Sequence, residues 1–167
     1  MARQFEENLY LVGQSQDIER FMFGTEREPI RQHLELLAAW QRGLCLYCER
    51  SLSRQTAHVD HFVPWVLHRC NVLPNLVAAH AQCNMAKSDW LAAEPHLVRW
   101  MRRNGSARSA ASESGTTRVA SQANGTTAIA RWAYDRAYEL GLPTWLHGRE
   151  TMLLSDGYRA SFGEVSA

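Results

Sequence analysis

Lysine is almost missing from this chain of 167 residues: of eighteen basic residues, seventeen are arginine and one, Lys87, is lysine. No apolar run approaches the roughly 20 residues needed to span a bilayer. The start, Met-Ala-Arg-Gln-Phe-Glu-Glu, lacks the apolar core of a signal peptide. These absences set the expectation of a cytoplasmic protein with no membrane partner. An excess of one charge is absent too, since the net charge is +1, so no global field draws in nucleic acid. Cysteine is scarce and localised: all four lie between positions 45 and 83. In a reducing compartment such spacing suits metal ligation better than disulfides. What remains is ordinary for a soluble domain, with 46% hydrophobic residues and a length suited to one domain plus an extension.

The segment from Cys45 to Asp89 concentrates the reactive side chains, with every cysteine, four of the seven histidines and the single lysine. Cys45-x-x-Cys48 and His80-x-x-Cys83 form two pairs of ligand types at a spacing that lets one turn aim both side chains at one ion. We read them as a structural Cys3His zinc site, which lends folding free energy to a chain with a small core. The alternative, two core thiols and a satisfied histidine, does not explain two pairs of matched spacing. Cys70 has no partner at ligand spacing and reads as a buried thiol.

Between the pairs runs a second set: Val59-Asp60-His61-Phe62-Val63-Pro64-Trp65, then Asn75-Leu76-Val77, then Cys83-Asn84-x-x-Lys87. In this order the set resembles the HNH endonuclease family, specifically its zinc-containing branch. The resemblance covers about 45 residues and implies an α+β fold: a ββα-metal, treble-clef-like finger with a structural zinc, flanked by helices. It implies a two-stranded hairpin carrying Asp60 and His61, a loop, and a helix beginning near Asn75 to Val77 or just beyond. It further implies that His61 activates water and that Asn75 fixes the loop and so orients His61. Asn84 stands at the third signature position, often a histidine in the family.

The residue types support the same chemistry. Phosphodiester hydrolysis needs an activated water and neutralisation of charge on the phosphorane and the leaving oxygen. Asp60 and Asn84 are hard oxygen donors suited to Mg2+ or Mn2+. His61 is the candidate general base, because the imidazole side chain as a type titrates near neutral pH. Neighbours on a strand face opposite sides, which divides the labour: Asp60 holds the ion and His61 takes the proton. Lys87, three residues after Asn84, is placed to reach a scissile phosphate or to sit solvated on its helix. His68 and Arg69 in the loop, and Arg50 beside the first pair, are candidate phosphate contacts. Arginine's planar fork suits that role, and Arg99, Arg102 and Arg103 offer it beyond the last motif. His58 shares a strand face with Asp60 as an accessory ligand or an exposed residue, and Trp65 reads as a packing anchor.

Residues 1–44 read as a helical lead-in. A strand is expected over Leu9 to Val12, helical turns over Asp17 to Phe23, and a helix from a capping box at Thr25 to about Arg42, stopped by Gly43. Residues 45–104 read as the nuclease core, closed by a helix near 94–104 that ends at Gly105. Residues 105–127, rich in Ser, Ala, Gly and Thr, read as a flexible linker. The rival there is an Ala-rich helix in the second half that merges with the helix after it. Residues 128–167 read as a helix to Leu140 and a short hairpin turning at Ser155-Asp156-Gly157.

The leading expectation is therefore a Zn2+-scaffolded, Mg2+- or Mn2+-dependent endonuclease acting on double-stranded DNA. A protein partner in a restriction, defence or mobile-element system would supply sequence choice. The competing class is a non-catalytic zinc-finger module that binds nucleic acid or protein; it has no use for Asp60-His61, Asn75 and Asn84 in register. A zinc hydrolase is disfavoured because four ligands close the zinc sphere.

Overall fold

The structure, a computed structural model, describes residues 30–113 and 117–163. The chain divides into units 1–32 and 33–167, and the second is described here. The elements expected over Leu9 to Val12, Asp17 to Phe23 and Thr25 lie outside the described residues.

Helix α1, Leu34–Trp40, buries Leu34 and Leu37. It ends as expected, because Arg42 and Gly43 turn the chain with positive φ of 55° and 74°. The next turn is a small hairpin. Leu44 bridges Ser51, the Cys45 N–H donates to the Arg50 carbonyl (2.9 Å), and Glu49 takes φ 57°.

Strand β1, Ala57–His61, pairs antiparallel with β2, Leu76–His80, in a register running from Ala57 opposite His80 to His61 opposite Leu76. The outer edge of β2 is capped by one side chain. Gln41 Nε2 donates to the Ala78 carbonyl (2.7 Å) while Gln41 Oε1 accepts from the Ala78 N–H (2.8 Å). A side-chain amide thus satisfies edge groups that would otherwise invite pairing with another chain.

The helix expected to begin near Asn75 to Val77 or just beyond starts at the later end, after a strand that was not expected. Asn75 closes a short 3-10 turn, Leu73–Asn75, residues 76–80 are strand, and helix α2 is Ala81–Lys87. Leu76, Val77, Ala78 and Ala79 are all fully buried. A strand covered on both faces reads as a continuous apolar run, which periodicity cannot tell from a buried helix.

Helix α3, Glu94–Glu113, continues through Gly105, and helix α4 spans Thr117–Glu139. The end at Gly105 and the linker over 105–127 are therefore corrected: residues 105–113 and 117–127 are helical. A helical glycine costs only about 1 kcal/mol relative to alanine, too little to stop a helix that the flanking Ala, Arg and Ser residues sustain. The terminal hairpin pairs β3, Thr144–His147, with β4, Glu150–Met152, and turns at Gly148 (φ 51°) rather than at Ser155-Gly157. Ser155 instead caps a 3-10 turn, Asp156–Phe162.

The core joins these parts. Phe62 stacks on Trp100 with centroids 4.6 Å apart, Tyr134 donates to the Ala92 carbonyl (2.6 Å), and Leu97, Trp145 and Tyr158 fill the space between. The result is the α+β architecture expected, a small zinc-finger-like ββα unit flanked by helices. Among the described residues, no helix is long and apolar enough to cross a membrane.

Candidate active site

The four expected zinc ligands converge. Their ligand atoms all lie within 4.8 Å of one another, compatible with the edges of a tetrahedron whose Zn–S bonds are about 2.3 Å. His80 ends β2 and Cys83 sits in the first turn of α2, so the strand-to-helix junction sets their spacing. His80 Nδ1 lies 3.2 Å from Cys48 Sγ, and its Nε2 is held by the Ser51 carbonyl at 3.0 Å, the outer contact that fixes a ligand imidazole.

The electrostatics suit a cation. Burial raises the Cys48 thiol, but hydrogen bonds from Arg50, His80 and Cys45 outweigh it and bring the pKa down to about 6. Burial and the neighbouring Cys45 and Cys48 charges push Cys83 up to about 12. Three thiolates cannot share this space unless an ion neutralises them, and the donor set is that of zinc.

The second constellation is built on β1. Asp60 points inward, where Tyr47 donates to its Oδ2 (2.5 Å) and Lys87 Nζ lies 3.3 Å from the same oxygen. Tyr47 sits between the two cysteines of the first pair, so the zinc turn and the carboxylate are mechanically joined. Burial, then the charge of Asp60, raises the Tyr47 pKa well above its ordinary value, so Tyr47 is a permanent donor. Lys87 is fully buried and donates also to the His61 carbonyl (2.9 Å). The alternative of a solvated helix lysine is corrected: the Lys87 ammonium is buried, pairs with Asp60 and ties α2 to the end of β1.

His61 is half-buried at the end of β1. Its Nε2 lies 2.8 Å from Asn71 Oδ1, and its ring packs on Trp65 at 5.1 Å. The two residues after it are pinned by Asn75, which is fully buried. The Phe62 N–H donates to the Asn75 carbonyl (2.8 Å), Asn75 Oδ1 accepts from the Val63 N–H (2.8 Å), and Asn75 Nδ2 donates to the Val63 carbonyl (3.0 Å).

Residues 45–89 match the family model described as HNH endonuclease. This segment is an HNH domain. No curated protein matches the chain. Among solved structures, the chain is similar to the Type II-C Cas9 enzyme from Actinomyces naeslundii, at 22% identity over 63% of this chain and 13% of that one, with a TM-score of 0.35. The chain thus corresponds to a small part of that protein's length.

Other expected site residues take different places around the HNH domain. His68 is buried and lies 3.2 Å from Thr126 Oγ1 on α4; burial, then the nearby His61 charge, lowers its pKa. It ties the loop to α4. Arg50 stands at the zinc thiolates, hydrogen-bonded to Cys48, which raises its pKa. Arg99 pairs with Glu49 (2.9 Å), and Arg103 is buried. Arg69 and Arg102 are exposed, as is His58. Cys70 is exposed, which corrects the expectation of a buried thiol.

Asn84 is half-buried on α2, one helical turn before Lys87. Lys87, three positions on, is the residue of this helix that contacts Asp60. Among the described residues, the polar contacts of Asp60 fall on Oδ2.

Sequence reading missed Tyr47, Asn71 and the donors of α3. Tyr47 carried one signal: an aromatic between two ligand cysteines cannot point at the ion and must pack elsewhere. Asn71, and Trp100 and Asn104 as donors, act across long sequence separations and gave none, while Arg103 was singled out for phosphate rather than for this contact.

Proposed function

We propose that this chain is a metal-dependent endonuclease that hydrolyses phosphodiester bonds of DNA. The observation that carries the reading is the brace on His61: a fully buried asparagine grips both backbone atoms of Val63, two residues beyond a half-exposed histidine. A zinc-finger binding module needs the four ligands and gains nothing from that brace.

In this reading zinc holds the scaffold through Cys45, Cys48, His80 and Cys83. Asp60 and Asn84 hold Mg2+ or Mn2+, which supplies Lewis-acid neutralisation of phosphate charge. His61 accepts the proton of the attacking water. Asn71 at Nε2 and Trp65 against the ring keep the imidazole in one orientation, the pre-organisation that proton transfer requires. Asn75 holds the backbone behind it. Lys87 offsets the charge of Asp60, so full cation affinity needs the substrate phosphate. Arg69, exposed on the loop that carries Asn71, is our candidate phosphate contact.

The test is cleavage of supercoiled plasmid with Mg2+ or Mn2+ by wild type and His61→Ala at matched zinc content. The variant should lose at least about 100-fold in rate, the scale of a general base. Wild type that is inert with both cations, or equal cleavage by the two proteins, overturns the reading.

A further inference from the structure

We infer that Arg103 is a positioning residue for His61, acting through the turn that carries Asn75; the inference rests on the nuclease reading above. Arg103 lies on α3, outside the matched residues 45–89. Its side chain is buried, and its guanidinium spans the two carbonyls that flank Asn75: Nη1 donates to Leu76 O (2.5 Å) and Nη2 to Pro74 O (2.8 Å). The Pro74 carbonyl collects two further donors from the same helix, Trp100 Nε1 (2.9 Å) and Asn104 Nδ2 (3.1 Å). Arg103 Nη2 also donates to Asn104 Oδ1 (2.6 Å), which links the fork to the amide that shares its acceptor.

The cost of this arrangement argues for its purpose. Burying a guanidinium away from water is expensive unless it is paired with an anion. Here its acceptors are carbonyl and amide oxygens, with no carboxylate among them. An apolar side chain would fill the same space more cheaply. What an apolar residue cannot do is fix two peptide planes at once, and a rigid planar fork can.

The planes it fixes are Pro74–Asn75 and Leu76–Val77, which bracket the turn at Asn75, and the Asn75 side chain in turn grips Val63. Trp100 supplies a second path to the same end, because its ring stacks on Phe62, the residue after His61. Helix α3 therefore contacts both the residue after His61 and the turn that carries Asn75. The catalytic unit on this account extends past residue 89 to Asn104.

Arg103→Lys keeps the charge and loses the fork, and Trp100→Phe keeps the stack and loses one donor. Both are compared with wild type for zinc content, thermal midpoint, amide exchange at Val63, the NMR titration of the His61 ring, and kcat and KM on a duplex substrate. Arg103→Lys should retain zinc and KM within twofold, while kcat falls about tenfold, Val63 exchanges faster and the His61 titration shifts. Trp100→Phe should show the same pattern at about threefold, and it carries the test if Arg103→Lys does not fold.

Unchanged Val63 exchange and His61 titration in folded variants overturn the inference. So does a kcat loss that merely follows the folded fraction. If wild type does not cleave, the nuclease reading fails on its own. The Val63 and His61 signals, which need no turnover, then still decide whether Arg103 positions His61.

Discussion

The side-chain amide of Asn75 closes a ring with Val63, accepting from its N–H at 2.8 Å and donating to its carbonyl at 3.0 Å. Both residues are fully buried, so neither backbone group has water as a substitute. Asn75→Ala leaves two buried groups unpaired and should destabilise the fold by about 2–5 kcal/mol. Urea unfolding reads the loss, and cleavage per folded molecule should fall as well, because the chain after His61 is released.

Tyr47→Phe removes the hydrogen bond to Asp60 Oδ2 and leaves the ring packed edge-on against His96 and Trp145. Hydrogen bonds to charged groups contribute about 1.5–3 kcal/mol, and stability should drop by about that much. Zinc content should stay at one per chain. The concentration of Mn2+ giving half-maximal cleavage should rise, because the carboxylate loses the donor that orients it; an unchanged Mn2+ titration would rule out the coupling.

Zinc binding should release protons. With the Cys48 thiol at about 6 and the Cys83 thiol at about 12, the metal-free protein at pH 7.5 holds Cys48 as thiolate and Cys83 as thiol. Coordination requires thiolate at both. Calorimetry in buffers of different ionisation enthalpy should show at least one proton released per zinc. In the metal-free protein, the depressed Cys48 value stabilises the fold above the unfolded pKa near 9, and that contribution is lost as pH falls toward 6. The raised Cys83 value acts oppositely, its contribution lost as pH rises from about 9 toward 12.

His96 is a buried neutral histidine. Burial brings its pKa down to about 4, its Nε2 lies 2.7 Å from the Leu146 carbonyl, and Arg99 donates to its Nδ1 (2.8 Å). A lowered value in the folded state means that the unfolded chain binds the extra proton between about pH 4 and 6.5. The contribution is complete above 6.5 and is lost as pH falls through that window, about 3 kcal/mol in all. Urea unfolding from pH 7 to 4 should show this slope in wild type and lose it in His96→Gln.

Gly105 lies inside α3, and a Cβ added there meets nothing within 4 Å. Gly105→Ala should therefore raise stability by about 0.5–1 kcal/mol. A helix that ended at this residue would be destabilised instead, so the thermal midpoint distinguishes the two.

The parts of the site legible in sequence were those whose chemistry is local. Two pairs of ligand types at two-residue spacing carry their own geometry, and Asp60 and His61 separate by strand alternation alone. The errors were of two kinds. Residues 76–79 are apolar without a period, so a strand buried on both faces read as the start of a helix. Lys87, His68 and Arg103 are polar residues that burial turned inward, and composition alone assigns such residues to the surface.

By itself the amino-acid sequence determined the four-residue metal-ligand cluster, the Asp60-His61 pair and the α+β character, because each depends on residue type and short spacing. Tertiary structure alone decided what supports them: Tyr47 on Asp60 across 13 positions, Lys87 on His61 across 26, and Arg103 on the Asn75 turn across 27 to 29. Those contacts arise from how β2, α2 and α3 pack. A buried polar group must find its partner wherever packing places it, and no local pattern announces where that will be.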